Sequence, residues 1–184
     1  MATAQAGRAR RNPAAIGTGL VLLHFVVWPS ASETTIRRAA DTDLTALAAL
    51  RRETGTEQDG GHPGPDFDPG FEERFAAWFA RESSRRITWL AEADGRLVGA
   101  MGLAVFERMP RPGRAPTRWG YLSNAFVLAE YRNRGIGSQL LAAILAHAGE
   151  HDFARVVLSP SDRSIPFYQR AGFAPANELL VWHP

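Results

Sequence analysis

The sequence predicts a mixed α/β domain, a largely antiparallel sheet flanked by helices. Three observations predict it. Two apolar runs, Ile87–Glu92 and Leu97–Phe106, flank the pair Asp94-Gly95, the strongest short-range hairpin signal. Downstream, strand-like and helix-like patterns alternate, as parallel crossovers require. A chain of 184 residues, 45% of them hydrophobic and none of them cysteine, can bury one full core without disulfides or thiolate metal sites.

The elements follow in order from Glu33, with residues 33–184 forming the domain and residues 1–32 an extension. Glu33–Arg38 alternates as a first strand, and Asp41 is placed to cap a helix. Leu44, Leu47 and Leu50 recur at helical spacing until Gly55, a natural stop. Residues 55–70 form a Gly- and Pro-rich loop holding Glu57, Asp59, Asp66 and Asp68 and no arginine. Phe71, Phe75, Trp78 and Phe79 then share one helical face before the hairpin. A basic connection, Arg108–Arg118, leads to a strand at Trp119–Leu128. A turn at Arg132–Gly137 opens a helix whose Ile136, Leu140, Leu141, Ile144 and Leu145 face one way. Phe153–Leu158 reads as a buried strand, Ser164–Arg170 as a short helix stopped by Gly172, and Glu178–Trp182 as a last strand.

Charge is distributed unevenly. All 21 basic residues are arginine, against 19 acids. Residues 1–32 carry Arg8, Arg10 and Arg11 and no acid, so the domain that follows is near neutral. A nucleic-acid surface needs a clustered cationic excess, so no nucleic-acid partner is expected, although Arg108–Arg118 is the segment that would supply one. The apolar run Ile16–Trp28 is 13 residues long, too short to cross a bilayer. With its basic start and the trio Ser30-Ala31-Ser32 it imitates a signal peptide; the other readings are a poorly structured extension or a misplaced start.

The segment Val127–Leu141 carries the chemistry. A strand ends, a basic turn with Arg132, Arg134, Gly135 and Gly137 follows, and an amphipathic helix begins at once. The first N–H groups of a helix lack internal partners and carry partial positive charge, and glycines let a bulky anion approach them. The residues alone describe either a diphosphate cradle or a glycine-capped turn. A Walker-type loop is excluded because it needs a lysine, and the chain has none.

Arg132-x-x-Gly135-x-Gly137 after a strand, followed by Phe167-Tyr168-x-x-x-Gly172-Phe173, resembles the GNAT superfamily of acetyl-CoA-dependent N-acetyltransferases. The resemblance runs from about Thr34 to Trp182. It implies a GNAT-like acyl-CoA N-acyltransferase fold with acetyl-CoA as co-substrate. It implies that Arg132, Arg134, Gly135, Ile136, Gly137 and Ser138 hold the pyrophosphate and that Val127 and Leu128 pair with pantetheine. Tyr168 matches the tyrosine that protonates the departing thiolate. Two positions depart from the pattern: Ala129 stands for a frequent proline, and Ser161 for a cofactor-binding asparagine.

The implied activity is acetyl transfer to a primary amine of a small-molecule or peptide acceptor, by direct attack in a ternary complex. The alternative is a non-catalytic acyl-CoA-binding regulatory module, because Tyr121 stands where histone-acetylating relatives carry a glutamate. Glu92 and Glu107 are the remaining candidates for a base, and Ser123 or Asn124 for placing the acceptor. The acids of residues 55–70 favour a cationic acceptor and the arginines of Arg108–Arg118 an acidic one, so these two signals conflict. No metal is expected: His24, His62, His147, His151 and His183 form no ligand set, and Gly149 suggests that the helix frays between the closest two. The co-substrate implies a cytoplasmic protein without stable membrane insertion, the signal-like start leaves export open, and a homodimer is equally open.

Overall fold

The computed structural model describes residues 33–58 and 68–182. The extension expected over residues 1–32 and most of the Gly- and Pro-rich loop lie outside them. Five strands form one sheet in the order β1-β2-β3-β4-β5: β1 (Thr35–Arg38), β2 (Arg86–Ala93), β3 (Arg96–Glu107), β4 (Arg118–Val127) and β5 (Phe153–Val157). The first three pairings are antiparallel and the last is parallel. The helices are α1 (Leu44–Gln58), α2 (Phe71–Glu82), α3 (Ile136–Glu150) and α4 (Ile165–Arg170). The mixed, largely antiparallel sheet expected from the pattern is therefore present. No helix among the described residues is long and apolar enough to cross a membrane.

Local chemistry accounts for most of the boundaries. Asp94 and Gly95 both take positive φ, 54° and 72°, as a type I′ turn demands, and Ala93 pairs with Arg96 across it. The parallel β4–β5 pair is joined through α3, whose Leu140, Leu141 and Ile144 are at most 1% exposed. Alternation assigns the two faces of the sheet. Trp89 and Met101 pair across strands, and the Trp89 ring meets His147 of α3 at 5.3 Å, so these positions face α3. Thr88, Gly102 and Ser123 lie in register on the opposite face, toward α1 and α2.

Three expectations are corrected. Asp41 caps nothing. Asp43 instead turns back to accept the Ala40 N–H at 2.7 Å and binds both terminal nitrogens of Arg37, at 2.6 and 2.7 Å. Gly55 does not end α1, which runs to Gln58; a lone glycine costs helix stability without breaking the ladder. Glu178–Trp182 forms no strand. Leu180 is 96% and Trp182 81% exposed, because strand propensity has no effect without a ladder to join.

Candidate active site

The site is built where β4 loses its pairing with β5. β4 pairs with β5 at Arg118, Gly120 and Tyr121 only. The ladder ends at Tyr121 because its partner Val157 is the last residue of β5, so Leu122–Val127 is paired to β3 on one edge and has no strand on the other. The ladder between β3 and β4 also slips between Ala100 and Gly102, and Asn124 takes a left-handed φ of 52° at the resulting bulge. Val127 is half-buried, and Leu128, 1% exposed, anchors the strand end by donating its N–H to the Val98 carbonyl at 2.9 Å.

The loop then turns through Ala129–Tyr131 and Asn133 (φ 60°) to Gly135, which caps α3 with φ 82°. An L side chain at that φ is strained, which is why a glycine stands there. From Asn133 to Ser138 no backbone N–H has a backbone acceptor among the described residues, and the next, that of Gln139, reaches the Gly135 carbonyl at 3.0 Å. Six consecutive donors therefore remain at the positive end of a 15-residue helix. Ile136 is buried and fixes the helix start in the core, while Arg134, Gly135 and Ser138 are exposed. Gly137 lies against the ring of Phe167, 3.6 Å from where a Cβ would stand. Free donors beside an open strand edge fit a ligand that has a diphosphate at one end and an amide-bearing arm at the other.

The two arginines behave differently. Arg132 donates through Nε to the Val127 carbonyl at 2.8 Å and through both terminal nitrogens to the Glu57 carboxylate at 2.5 Å. This pairing raises the guanidinium pKa and lowers that of Glu57. The charge expected to face a diphosphate is thus paired with α1. Arg134 lies over the Tyr131 ring at 5.2 Å and stays exposed.

Tyr168 sits on α4, 8% exposed, its ring edge-on to Phe167 at 4.9 Å and Phe173 at 5.7 Å. Its carbonyl accepts the N–H groups of Ala171 and Phe173, which ties Gly172-Phe173 beneath it. Burial pushes the phenol pKa upward, so the hydroxyl holds its proton at neutral pH. Ser161 is exposed ahead of α4; its hydroxyl donates to Ser164 Oγ at 3.1 Å and its carbonyl receives the Ser164 and Ile165 N–H groups.

On the α1–α2 face lies a cavity of about 450 Å³ bounded by both helices and by β2, β3 and β4. Asn124 lines it, whereas Ser123 Oγ is enclosed without a hydrogen-bond partner. The acids once available to a cationic acceptor are engaged: Glu57 by Arg132 and Asp68 by Arg74, while Asp59 and Asp66 lie outside the described residues. Glu92 is bound to Arg37 at 2.5 Å, and Glu107 is exposed at the end of β3 opposite Arg118. The aromatic face of α2 was visible in the sequence as a helical stripe; that it walls a cavity was not.

The helix end at His147 and His151 does not fray, since α3 continues to Glu150 and His151 N–H reaches the His147 carbonyl. His147, Glu150 and His151 bring their ligating atoms within 4.8 Å of one another, a grouping not expected from the sequence. However, Arg38 donates to His147 Nδ1 at 2.7 Å, which leaves the proton on Nε2. In that state His147 offers a metal no lone pair. Burial, with His151 and Arg38 nearby, lowers its pKa and keeps it neutral.

A strand with an unpaired outer edge beside a donor-rich helix start is the arrangement that suits a phosphate-bearing ligand with an extended arm. The sequence pattern of the Acetyltransferase (GNAT) family matches residues 46–173, and the chain belongs to that family. Over 82 residues, 45% of this chain and 54% of the relative, it is 32% identical to the glucosamine 6-phosphate N-acetyltransferase of Trypanosoma brucei brucei. Over 101 residues, 50% of this chain and 30% of the relative, it is 37% identical to the mycothiol acetyltransferase of Acidimicrobium ferrooxidans. The matched stretches thus span about half and a third of those curated relatives. Its fold is similar to that of a predicted acetyltransferase from Clostridium acetobutylicum crystallised with acetyl-CoA, with a TM-score of 0.65 and 21% identity over 82% of this chain and 96% of that one.

Proposed function

We propose that the chain is an N-acetyltransferase that moves an acetyl group from acetyl-CoA to a primary amine of a small-molecule or peptide acceptor, within a ternary complex. The observation that carries this reading is the run of six free N–H groups at the head of α3, set beside the edge that β4 opens after Tyr121. The donors suit the pyrophosphate and the strand edge suits the pantetheine arm. When bound, acetyl-CoA supplies an activated thioester. Arg132 holds the end of β4 through the Val127 carbonyl and ties it to α1 through Glu57, which keeps the two halves of the site in register.

The acceptor must arrive as a neutral amine. Its nitrogen attacks the thioester carbon, the C–N bond forms as the C–S bond breaks, and the nitrogen loses its extra proton to solvent. The sulfur leaves as thiolate and takes the proton of the Tyr168 hydroxyl, which burial keeps protonated, and the phenolate so formed regains a proton from solvent. No carboxylate lies in the run from Trp119 to Val127, and Glu92 is paired with Arg37, so the site works without an assigned base. That same lack of a base favours the second reading, a non-catalytic acyl-CoA-binding module. Dependence on acetyl-CoA supports a cytoplasmic site of action, against the export that the signal-like start leaves open.

The test is release of CoA in the presence of a pool of primary amines, for wild type and Tyr168→Phe, with acetyl-CoA binding measured in parallel. Turnover that collapses in the Phe variant is the expected result. Binding with no turnover across the pool would leave the non-catalytic module standing, and no binding at all would sink both readings.

A further inference from the structure

We infer that the acceptor is a primary amine on an aromatic or bulky apolar body that also carries a carboxylate, held in the cavity between α1, α2 and the sheet. The inference rests on the transferase reading above and adds to it the chemical class of the acceptor.

The cavity's volume, about 450 Å³, lies in the range of small-molecule sites. Its roof is the aromatic face of α2, where Phe75 meets Phe71 at 5.7 Å, Trp78 at 6.0 Å and Phe79 at 6.2 Å. None of these four rings is fully buried; the buried side chain of α2 is Glu82. Phe75 and Phe79 pack in part against the core, and the stripe as a whole also borders the open space of the cavity. Below it, small residues leave depth: Thr88, Ala100 and Gly102 line the floor. Asn124, Ala125 and Phe126 line the same cavity, and they belong to the stretch of β4 whose outer edge is open beyond Tyr121. An amine in the cavity is therefore beside the place proposed for the thioester arm.

The lining also specifies charge. Among the described residues around the cavity, Arg51 of α1 is the one that carries charge, and it is exposed with no described ion-pair or hydrogen-bond partner. The neighbouring Arg52 is already bound to Glu72 at 2.5 Å. A carboxylate on the acceptor meets a free guanidinium, whereas a polycation meets no counter-charge from the described lining. The apolar walls serve the chemistry too. An ammonium moved into a cavity whose described lining holds no carboxylate loses hydration, and with the acceptor's own carboxylate engaged by Arg51 it gains little pairing, so the neutral, nucleophilic amine is favoured. This supplies by desolvation what the missing carboxylate on β4 would otherwise provide.

Initial rates of CoA release with L-tryptophan, tryptamine, glucosamine 6-phosphate and kanamycin test the inference on wild type and Arg51→Ala. The expected order is L-tryptophan first, tryptamine about 10-fold lower in kcat/KM for want of the carboxylate, and the two polar amines on the order of 100-fold lower or worse. Arg51→Ala should bring L-tryptophan down to the level of tryptamine with the melting temperature unchanged, because the side chain is exposed. Thr88→Met, which fills the cavity floor, should depress L-tryptophan turnover about 10-fold or more while acetyl-CoA affinity holds. Preference for either polar amine overturns the acceptor class and leaves the transferase reading intact. Failure of all four probes also overturns the class, and the parallel titration with acetyl-CoA shows whether the transferase reading falls with it.

Discussion

Replacing Gly135 with alanine separates the conformational role of the loop from its role as an anion cradle. Gly135 has φ 82°, and a Cβ there would find only Gln139 Nε2, 4.0 Å away, so the perturbation is one of backbone conformation and not of crowding. Holding an L-residue in the left-handed region costs about 1–2 kcal/mol. In a chain of this size a loss of 1 kcal/mol lowers Tm by roughly 2–4 °C. If the alanine relaxes toward negative φ, the neighbouring N–H groups turn away from their common direction. Each charge-assisted hydrogen bond lost to a diphosphate is worth about 1.5–3 kcal/mol, which weakens CoA binding on the order of 10- to 100-fold. Thermal melting reads the first quantity and calorimetric titration with CoA the second. Gly55→Ala is the control: it lies inside α1 with no atom within 4 Å of its Cβ position and no positive φ, so the same change should stabilise by about 0.5–1 kcal/mol. An alanine held in the left-handed region lowers Tm, and one that relaxes lowers CoA affinity, so a Gly135→Ala protein with both Tm and CoA affinity unchanged would refute the reasoning.

Three further outcomes follow from the same geometry. Tyr168→Phe should keep its stability, since the ring packing with Phe167 and Phe173 is retained, while kcat with any accepted amine falls about 100-fold or more. Because burial raises the folded-state pKa of Tyr168, the proton is kept to higher pH than in free tyrosine; wild-type kcat should hold through neutral pH and decline only above about pH 10, a limb the Phe variant lacks. Asp43, 8% exposed, has its pKa drawn down from 3.8 to about 2, chiefly by the Arg37 hydrogen bonds. The folded pKa lies below the unfolded one, so its stabilisation is present above about pH 4 and lost as pH falls toward 2. Denaturant titrations across that window should show about 2 kcal/mol of pH dependence that Asp43→Asn removes. Gly149→Ala, in α3 with nothing near its Cβ position, should raise stability by about 0.5–1 kcal/mol in the same titrations.

The legible part of the fold was the part governed by near neighbours. Asp94-Gly95 dictated a turn with two positive φ values, and the flanking alternation became β2 and β3 with the Ala93–Arg96 pair closing it. The stripe from Ile136 to Ile144 became the buried face of α3, and the glycine-bearing turn before it became a helix start with free donors. Errors arose where a local signal needed a distant partner. Asp41 had the right residue type for a cap, but Asp43 is the acid that reaches both Ala40 and Arg37. Glu178–Trp182 had the composition of a strand and no ladder to join. In the site, the loop was readable as a candidate cradle, whereas the state of its first arginine was not, because Glu57 is 75 residues away.

What the sequence by itself determined, then, was the mixed α/β class, the hairpin, the helix faces and a donor-rich turn between β4 and α3, all set by backbone sterics and periodicity within a few residues. The tertiary structure decided which charges are free and which space is empty. It paired Arg132 with Glu57, left Arg51 without a described partner, ended the pairing of β4 with β5 at Tyr121, and left the aromatic face of α2 bordering a cavity. Charge pairing and cavity shape depend on groups brought together from remote parts of the chain, and no spacing along the sequence encodes those distances.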